Sequence, residues 1–568
     1  MADTTQTPDR QDNTGRWVLL STIMASSMGF IMGSALNVAL PALQGSLGAD
    51  AGDLLWITNS YLLMLAALIL VGGSLGDHYG RKRVFGYGII LFTIGSAICG
   101  FAPNVEVLIG ARVLQGIGGA AMIPGSLAII SAYFDDEERG GAIGLWSAFT
   151  AVTTVGGPII GGFLADPDIW SGFLPEAVAQ GMWRGVFFIT LPLALLALYA
   201  LYTRVPESRD EEAAQQPLDW VGSVLATLGL ASVSFGLIQA GENGFLSTGL
   251  AVPGLGVGLN NLAVLIIGVV VLVLFVLWEG RSNHPMMPLA LYRSPVFSGA
   301  NLLTLLLYAA LQTSFFFLSL NLIQAQGYRA SIAGFATVPL SLMLIVMSQY
   351  MGDLSSRIGP RIPLTVGPAV AGVGFALLAL PGLTAWRELA ANPDTTTFMD
   401  YLLNYATTYL PGILGVGIGM GITVAPLSNA VMSSVPQRQS GTASGVNNAA
   451  SRTAGVLGIA AIGAVVLIQF NSTLMTRVEG LDLSPASIEA LQAQAAELGG
   501  VQVPDGVPEE AAPQVEQAIA RAFVDVFRTA TWICAFLAWG SAAFAFFTMR
   551  VKPEEARQNV EQVLPDSA

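Results

Sequence analysis

The stretch "GGSLGDHYGRKRV", Gly72–Val84, decides the fold. Between Asp77 and Arg83 it packs four formal charges and a histidine into seven residues. On either side the chain is apolar for about 20 residues, the length that crosses a hydrocarbon core of about 30 Å as a helix. A charged knot between two such runs reads as a tight turn joining two membrane-spanning helices.

The rest of the chain repeats this alternation. Apolar residues make up 53% of the 568 residues and charged ones 11%, against about 25% charged in a soluble domain. Fourteen runs between residues 17 and 549 are long enough to span. The formal charge of −14 carries no message about a nucleic-acid partner, because most acids sit in connections such as "DDEER", Asp135–Arg139. No nucleic acid is expected. Cys99 and Cys534 lie inside apolar runs with no metal-ligand spacing, so neither a disulfide framework nor a metal is expected.

Positive charge orients the chain. A cytoplasmic N-terminus puts sixteen of the 24 basic residues inside, among them Arg81, Lys82, Arg83, Arg139, Arg204, Arg361, Arg438, Lys552 and Arg557. Both termini are then cytoplasmic, and the expected setting is the plasma membrane.

Two halves are legible. "GSLGDHYGRK" from Gly73 is echoed by "GDLSSRIGPR" from Gly352, and the segment from Gly140 by the one from Gly441. The second echo is displaced further by about the length of the polar insertion at 387–408. Transporters are often built from such repeats. The division expected is a tail at 1–16, a six-helix half at 17–203, a linker with two extra spans at 204–297, a second six-helix half at 298–549 with a long outer loop at 471–522, and a tail at 550–568. The fold class is an all-α membrane protein.

At these motifs the chain resembles a known family. "GSLGDHYGRKR" is similar to the loop between spans two and three of the major facilitator superfamily. "RVLQGIGGAAMIP" from Arg112 resembles its fourth-span motif, and "GGPIIGG" from Gly156 the fifth-span motif of its antiporters. "NVALPAL" from Asn37, "PGILGVGIGMGITVAPL" from Pro411 and "SGTASGVNNAASRTAGVLG" from Ser440 are similar to the fourteen-span drug:proton antiporter group. The resemblance covers roughly 15–550. It implies a major facilitator fold and a cavity between two rocking halves.

Each motif also has a physical reading. Gly73, Gly76 and Gly80 permit close approach and a tight turn. The resemblance implies that Asp77 locks the halves in the outward-facing state by meeting the start of span thirteen, near Ser440 and Gly441, with Arg81 and Lys82 beside it. Gly156, Gly157, Pro158, Gly161 and Gly162 let span five pack tightly and bend. Arg112 and Arg452 are charges inside spans, which points to a wet cavity or a partner. Polar or aromatic residues expected along the path are Asn37, Asn59, Gln115, Trp146, Tyr308, Gln312, Phe316, Asn429, Asn447 and Asn448. In the outer loop, "SPASIEALQAQAAELGG" predicts a helix capped by Ser484 and ending at Gly499.

One departure bears on mechanism. The antiporter group carries an aspartate five residues before the Asn of "NVALP"; here that position is Met32. No acid lies deep in a span, so proton coupling is expected to be weak or to run through a peripheral acid, Asp53 or Asp525. The function expected is secondary active efflux of hydrophobic or amphipathic compounds by a monomer in the lipid bilayer, without enzymatic activity or a cofactor other than a proton gradient. Two alternatives stay open on sequence: an anion or lipid-like solute carrier without proton coupling, and a non-transporting membrane sensor.

Overall fold

The computed structural model describes residues 8–209, 217–252, 257–392, 397–436, 439–481 and 483–550. Arg438, Lys552 and Arg557 lie outside the described residues, as do residues 1–7 of the first tail and 551–568 of the second. Among the described residues, fourteen helices are long and apolar enough to cross a membrane. They are α1 Thr14–Leu47, α2 Ala51–Tyr79, α3 Arg81–Gly100, α4 Val105–Tyr133, α5 Glu138–Ala165, α6 Glu176–Arg204, α7 Trp220–Asn243, α8 Asn261–Glu279, α9 Pro295–Ala325, α10 Ala330–Gly352, α11 Arg361–Leu378, α12 Leu410–Ser433, α13 Ser440–Val478 and α14 Ala512–Thr548.

Local chemistry sets several helix starts. Asp50 accepts from the Asp53 N–H at 2.7 Å, and Asp53 returns the bond to the Asp50 N–H, a reciprocal cap on α2. Asn104 caps α4, Asn260 caps α8, and Ser294 caps α9 ahead of Pro295. The repeat appears in the turns. Gly80 ends α2 at φ 108°, and Gly359 ends the helix Val338–Ile358, which continues α10, at φ 79°. Both values lie where a side chain is strained. Each glycine is followed closely by an arginine that opens the next helix, Arg81 or Arg361. The face bearing these turns is called the basic face below.

The halves meet along two seams, α2 with α13 and α5 with α10, which the repeat relates to one another. On the first, Gly463 lies against Leu55 and Gly445 against Leu70. On the second, a Cβ at Gly162 would lie 2.3 Å from the Ala330 carbonyl, and one at Gly334 2.3 Å from the Pro158 carbonyl. That approach is open only to glycine. The inserted pair α7 and α8 packs together through Gly229, Gly236 and Gly268. α7 also lies across the first seam, with Phe235 6.1 Å from Trp56 of α2 and Gly241 against Ala464 of α13.

Three features differ from the sequence expectation. The all-α fold carries one small addition: Thr248–Val252 and Val257–Asn260 form an antiparallel hairpin between α7 and α8. Its glycines and short length hid it among apolar residues. α13 runs on to Val478 and α14 begins at Ala512, so the loop expected at 471–522 shrinks to 479–511. The polar insertion holds two short helices, Trp386–Ala391 and Phe398–Thr408, with Trp386 stacked 3.6 Å from Tyr328.

Within the shortened loop, Ser484 caps the helix Pro485–Ala493 as predicted. A 3-10 turn then carries the chain to Gly500. Leu491 and Leu498 are buried. Gly499 rests on Gln324 of α9 and Gly500 on Gln44 of α1. The loop therefore covers the junction between the halves on the face opposite the basic one.

Candidate substrate cavity

Two adjoining cavities lie between the halves. One, of about 140 Å³, is lined from α1, α2, α4, α5, α9 and α13 and includes Phe30, Met32, Thr58, Arg112, Gln312 and Arg452. The other, of about 220 Å³, is lined from α1, α5, α9 and α10 and includes Val155, Leu311, Phe315, Ser319, Leu340 and Leu344. They share Gly33, Ser34, Asn37, Thr154 and Gln312. The first mixes polar and apolar groups and carries both intramembrane arginines; the second is chiefly apolar. Among the described residues, no carboxylate lines either.

The arginines are held differently. Arg112 is buried; its Nε donates to the Ile57 carbonyl at 3.0 Å and a terminal nitrogen to Gln115 Oε1 at 2.5 Å. The guanidinium lies 4.3 Å from the centre of the Tyr61 ring, and Gln115 donates in turn to Ser96 at 2.7 Å. α2, α3 and α4 are tied together by this chain of bonds. Arg452 is half-buried, and its Nε is buried without an acceptor. Among the described residues it forms neither a hydrogen bond nor an ion pair. The Thr58 hydroxyl, in the same cavity, is also buried and unpartnered.

Of the expected path residues, Asn37 and Gln312 line both cavities. Asn448 is exposed and lies one helical turn before Arg452 on the same face of α13. The others have different places. Gln115 lies behind Arg112. Trp146 donates from its indole to Ser26 Oγ at 3.1 Å, which holds α5 to α1. Asn447 donates to Thr304 at 2.7 Å and to Asn301, joining α13 to α9. Asn59 is fully buried with both side-chain polar atoms unpartnered. Tyr308 and Asn429 are absent from both linings. Phe316 is buried against Phe317, while its neighbour Phe315 faces the cavity. One residue turns a helical side chain by about 100°, so a neighbouring position reverses the role.

Among the described residues, the contacts that close the cleft lie on one face. Opposite the basic face, the Asp166 carboxylate accepts from the Ser331 hydroxyl, and Arg329 pairs with it at 3.4 Å. Gln324 donates to Gln44 at 2.6 Å, again across the halves. Toward the basic face, open space lies beside Gly140, Gly141, Gly144 and Gly156 of α5 and beside Gly441 of α13. The glycines of the fifth-span motif thus divide their work. Gly157 and Gly161 seat α5 on Ser34 and Ala35 of α1, and Gly162 seats it on α10. Pro158 presents its carbonyl to Gly334, and Gly156 faces open space.

The charged knot forms a dock within its own half. Asp77 accepts from Arg81 Nε at 2.7 Å. Lys82 Nζ donates to the Val205 carbonyl at 2.7 Å, the Lys82 N–H donates to Glu207 at 2.9 Å, and Arg83 lies 3.6 Å from Glu207. Asp77 is thus engaged by Arg81 in this inward-open arrangement; the contact with the start of α13 that the resemblance implies belongs to the outward-facing state. Gly73 and Gly76 have no neighbour closer than 3.8 Å; Gly72 makes the close approach, with a Cβ there falling 2.0 Å from the Ala120 carbonyl. Sequence reading missed Glu207, Asp166 and Glu242. The acid after the Val-Pro that ends α6 was a legible signal for the first; the other two depend on contacts far apart in the chain.

Residues 19–459 match the model of the Major Facilitator Superfamily. The chain is 30% identical over 465 residues to the multidrug resistance protein Stp of Mycobacterium tuberculosis, covering 81% of this chain and 78% of that one. It is 29% identical to the tetracenomycin C resistance and export protein of Streptomyces glaucescens, covering 94% and 92%. Among solved structures, a bacterial homologue of the human lysosomal transporter Spinster, inward-facing and unoccupied, superposes with a TM-score of 0.63 at 16% identity, covering 98% and 99%. With fourteen spans, two halves and a cavity between them, this chain is a multi-pass membrane transporter and belongs to the Major Facilitator Superfamily.

Proposed function

We propose that the protein exports amphipathic compounds from the cytoplasm across the plasma membrane, by alternating access and in exchange for protons. The observation that carries this reading is the central cavity, more polar at one end and more apolar at the other, sealed on one face and splayed toward the basic face. Positive charge favours the cytoplasmic side, so the basic face and both termini are cytoplasmic and the state is open inward. The relatives' names, resistance and export proteins, favour outward transport of toxic compounds. A mixed cavity suits a solute with an apolar body and few polar groups. The transporter works as a monomer in the bilayer, leaves its solute chemically unchanged and has no nucleic-acid partner.

Coupling runs through acids near the outer face. Met32 lines the cavity where an acid would serve, and a thioether carries no proton. Asp525 is tied to Arg477. Asp53 lies at the start of α2, where Glu242 of α7 packs against Gly52 and accepts from Gln239 at 2.8 Å. Since α7 touches both halves, a proton on this pair can bias their relative position.

The test is export from cells lacking their own efflux pumps. Expression should lower accumulation of an amphipathic dye and raise the tolerated dose of toxic compounds, and an ionophore that collapses the proton gradient should abolish both effects. Unchanged accumulation across a broad panel, with the protein in the membrane, contradicts the proposal.

A further inference from the structure

We infer that the central cavity selects organic anions, with Arg452 as the residue that binds the anionic group. The inference deepens the proposed export function by naming the substrate class, and it rests on that reading only for the direction of transport.

Among the described residues, the lining of the two cavities carries two guanidiniums and no carboxylate. A buried cation without a counter-charge loses hydration that nothing replaces. Arg112 is compensated in part by the Ile57 carbonyl, Gln115 and the face of Tyr61. Arg452 is not: its Nε is buried with no acceptor, and no acid pairs with it among the described residues. The Thr58 hydroxyl, buried and unpartnered in the same cavity, is a second donor without an acceptor. A guanidinium offers parallel N–H donors that match a carboxylate or another planar oxyanion. Beside these groups stand Phe30, Leu62 and Ile459, and the adjoining cavity adds Leu311, Phe315 and Leu344. The fitting ligand is an acidic group, such as a carboxylate or an ionised phenol, on an aromatic or aliphatic body. A cation of the same shape meets two like charges, with no acid among the described lining residues to offset them.

Fluorescein and rhodamine 123 share a xanthene body and differ in charge at neutral pH, anionic against cationic. Binding of each to the purified protein is read by fluorescence anisotropy. The expected result is tighter binding of fluorescein, weakened about tenfold or more by Arg452→Ala and partly restored by Arg452→Lys. Rhodamine 123 binding should be unchanged or stronger in Arg452→Ala, which also shows that the variant is folded. The inference is overturned if wild type prefers rhodamine 123, binds neither dye, or loses both equally in Arg452→Ala. It is also overturned if chloride at physiological concentration displaces fluorescein completely, since the resident anion is then inorganic. Arg452-dependent binding of fluorescein without its export from cells upholds this inference and counts against the export reading alone.

Discussion

The carboxylate of Asp166, at the end of α5 in one half, accepts a hydrogen bond from the hydroxyl of Ser331 in the other. Arg329 adds an ion pair to the same buried group. This contact exists only while the outer face is shut, so it weighs the balance between the two states. Asp166→Ala removes a charge-assisted bond worth about 1.5–3 kcal/mol and should shift the population outward about tenfold or more. A cysteine at Gln324 should then react several-fold faster with a membrane-impermeant thiol reagent applied from outside. An unchanged rate would show that the latch carries no weight.

The glycine motif predicts a contrast within one helix. Gly162→Val places a side chain against the Ala330 carbonyl, where even a Cβ comes within 2.3 Å. It should prevent outer closure and reduce transport at least about tenfold, as overpacking by even a few atoms is not absorbed without movement. Gly156→Ala enters open space and should leave transport near wild type. Equal effects of the two substitutions would contradict the assignment of Gly162 to the seam.

Arg112 and Arg452 should separate in stability. Arg112→Ala leaves Gln115 Oε1 and the Ile57 carbonyl without their donor, a loss of about 1–3 kcal/mol. Its thermal unfolding in detergent should fall clearly below wild type. Arg452→Ala removes a charge with no partner among the described residues, and its unfolding temperature should stay level or rise. Differential scanning fluorimetry of both variants is the check.

Coupling should respond to the outer acids. With Glu242→Gln and Asp53→Asn combined, solute flux in proteoliposomes should lose its dependence on an imposed pH gradient while downhill flux persists. Full gradient dependence in the double variant would place the coupling group elsewhere.

The sequence carried the spans because twenty apolar residues between charged turns have few other readings. It carried the repeat because Gly80 and Gly359 answer to the same backbone need, a positive φ before a basic helix start. Arg112 and Arg452 were also legible, since a charge inside a span is rare enough to mark a cavity. Phe316 was misplaced because periodicity fixes a helix face only to within a residue. Gly73 and Gly76 were credited with an approach that belongs to Gly72, for the same reason. Asp166 and Glu242 were out of reach: what matters for each is a partner more than a hundred residues away, Ser331 for one and Gly52 for the other.

Alternating access requires the outer seam to close and reopen during transport. Gln44 and Gln324 face each other across that seam at 2.6 Å. Cys99 and Cys534 are buried and can be replaced by serine. In that background, a Gln44→Cys, Gln324→Cys pair is joined by a short reducible bifunctional thiol reagent, and dye uptake into inside-out vesicles is followed under an imposed proton gradient. The prediction is uptake before cross-linking, none after it, and recovery on reduction. Undiminished uptake with the seam covalently closed would contradict alternating access through this cavity.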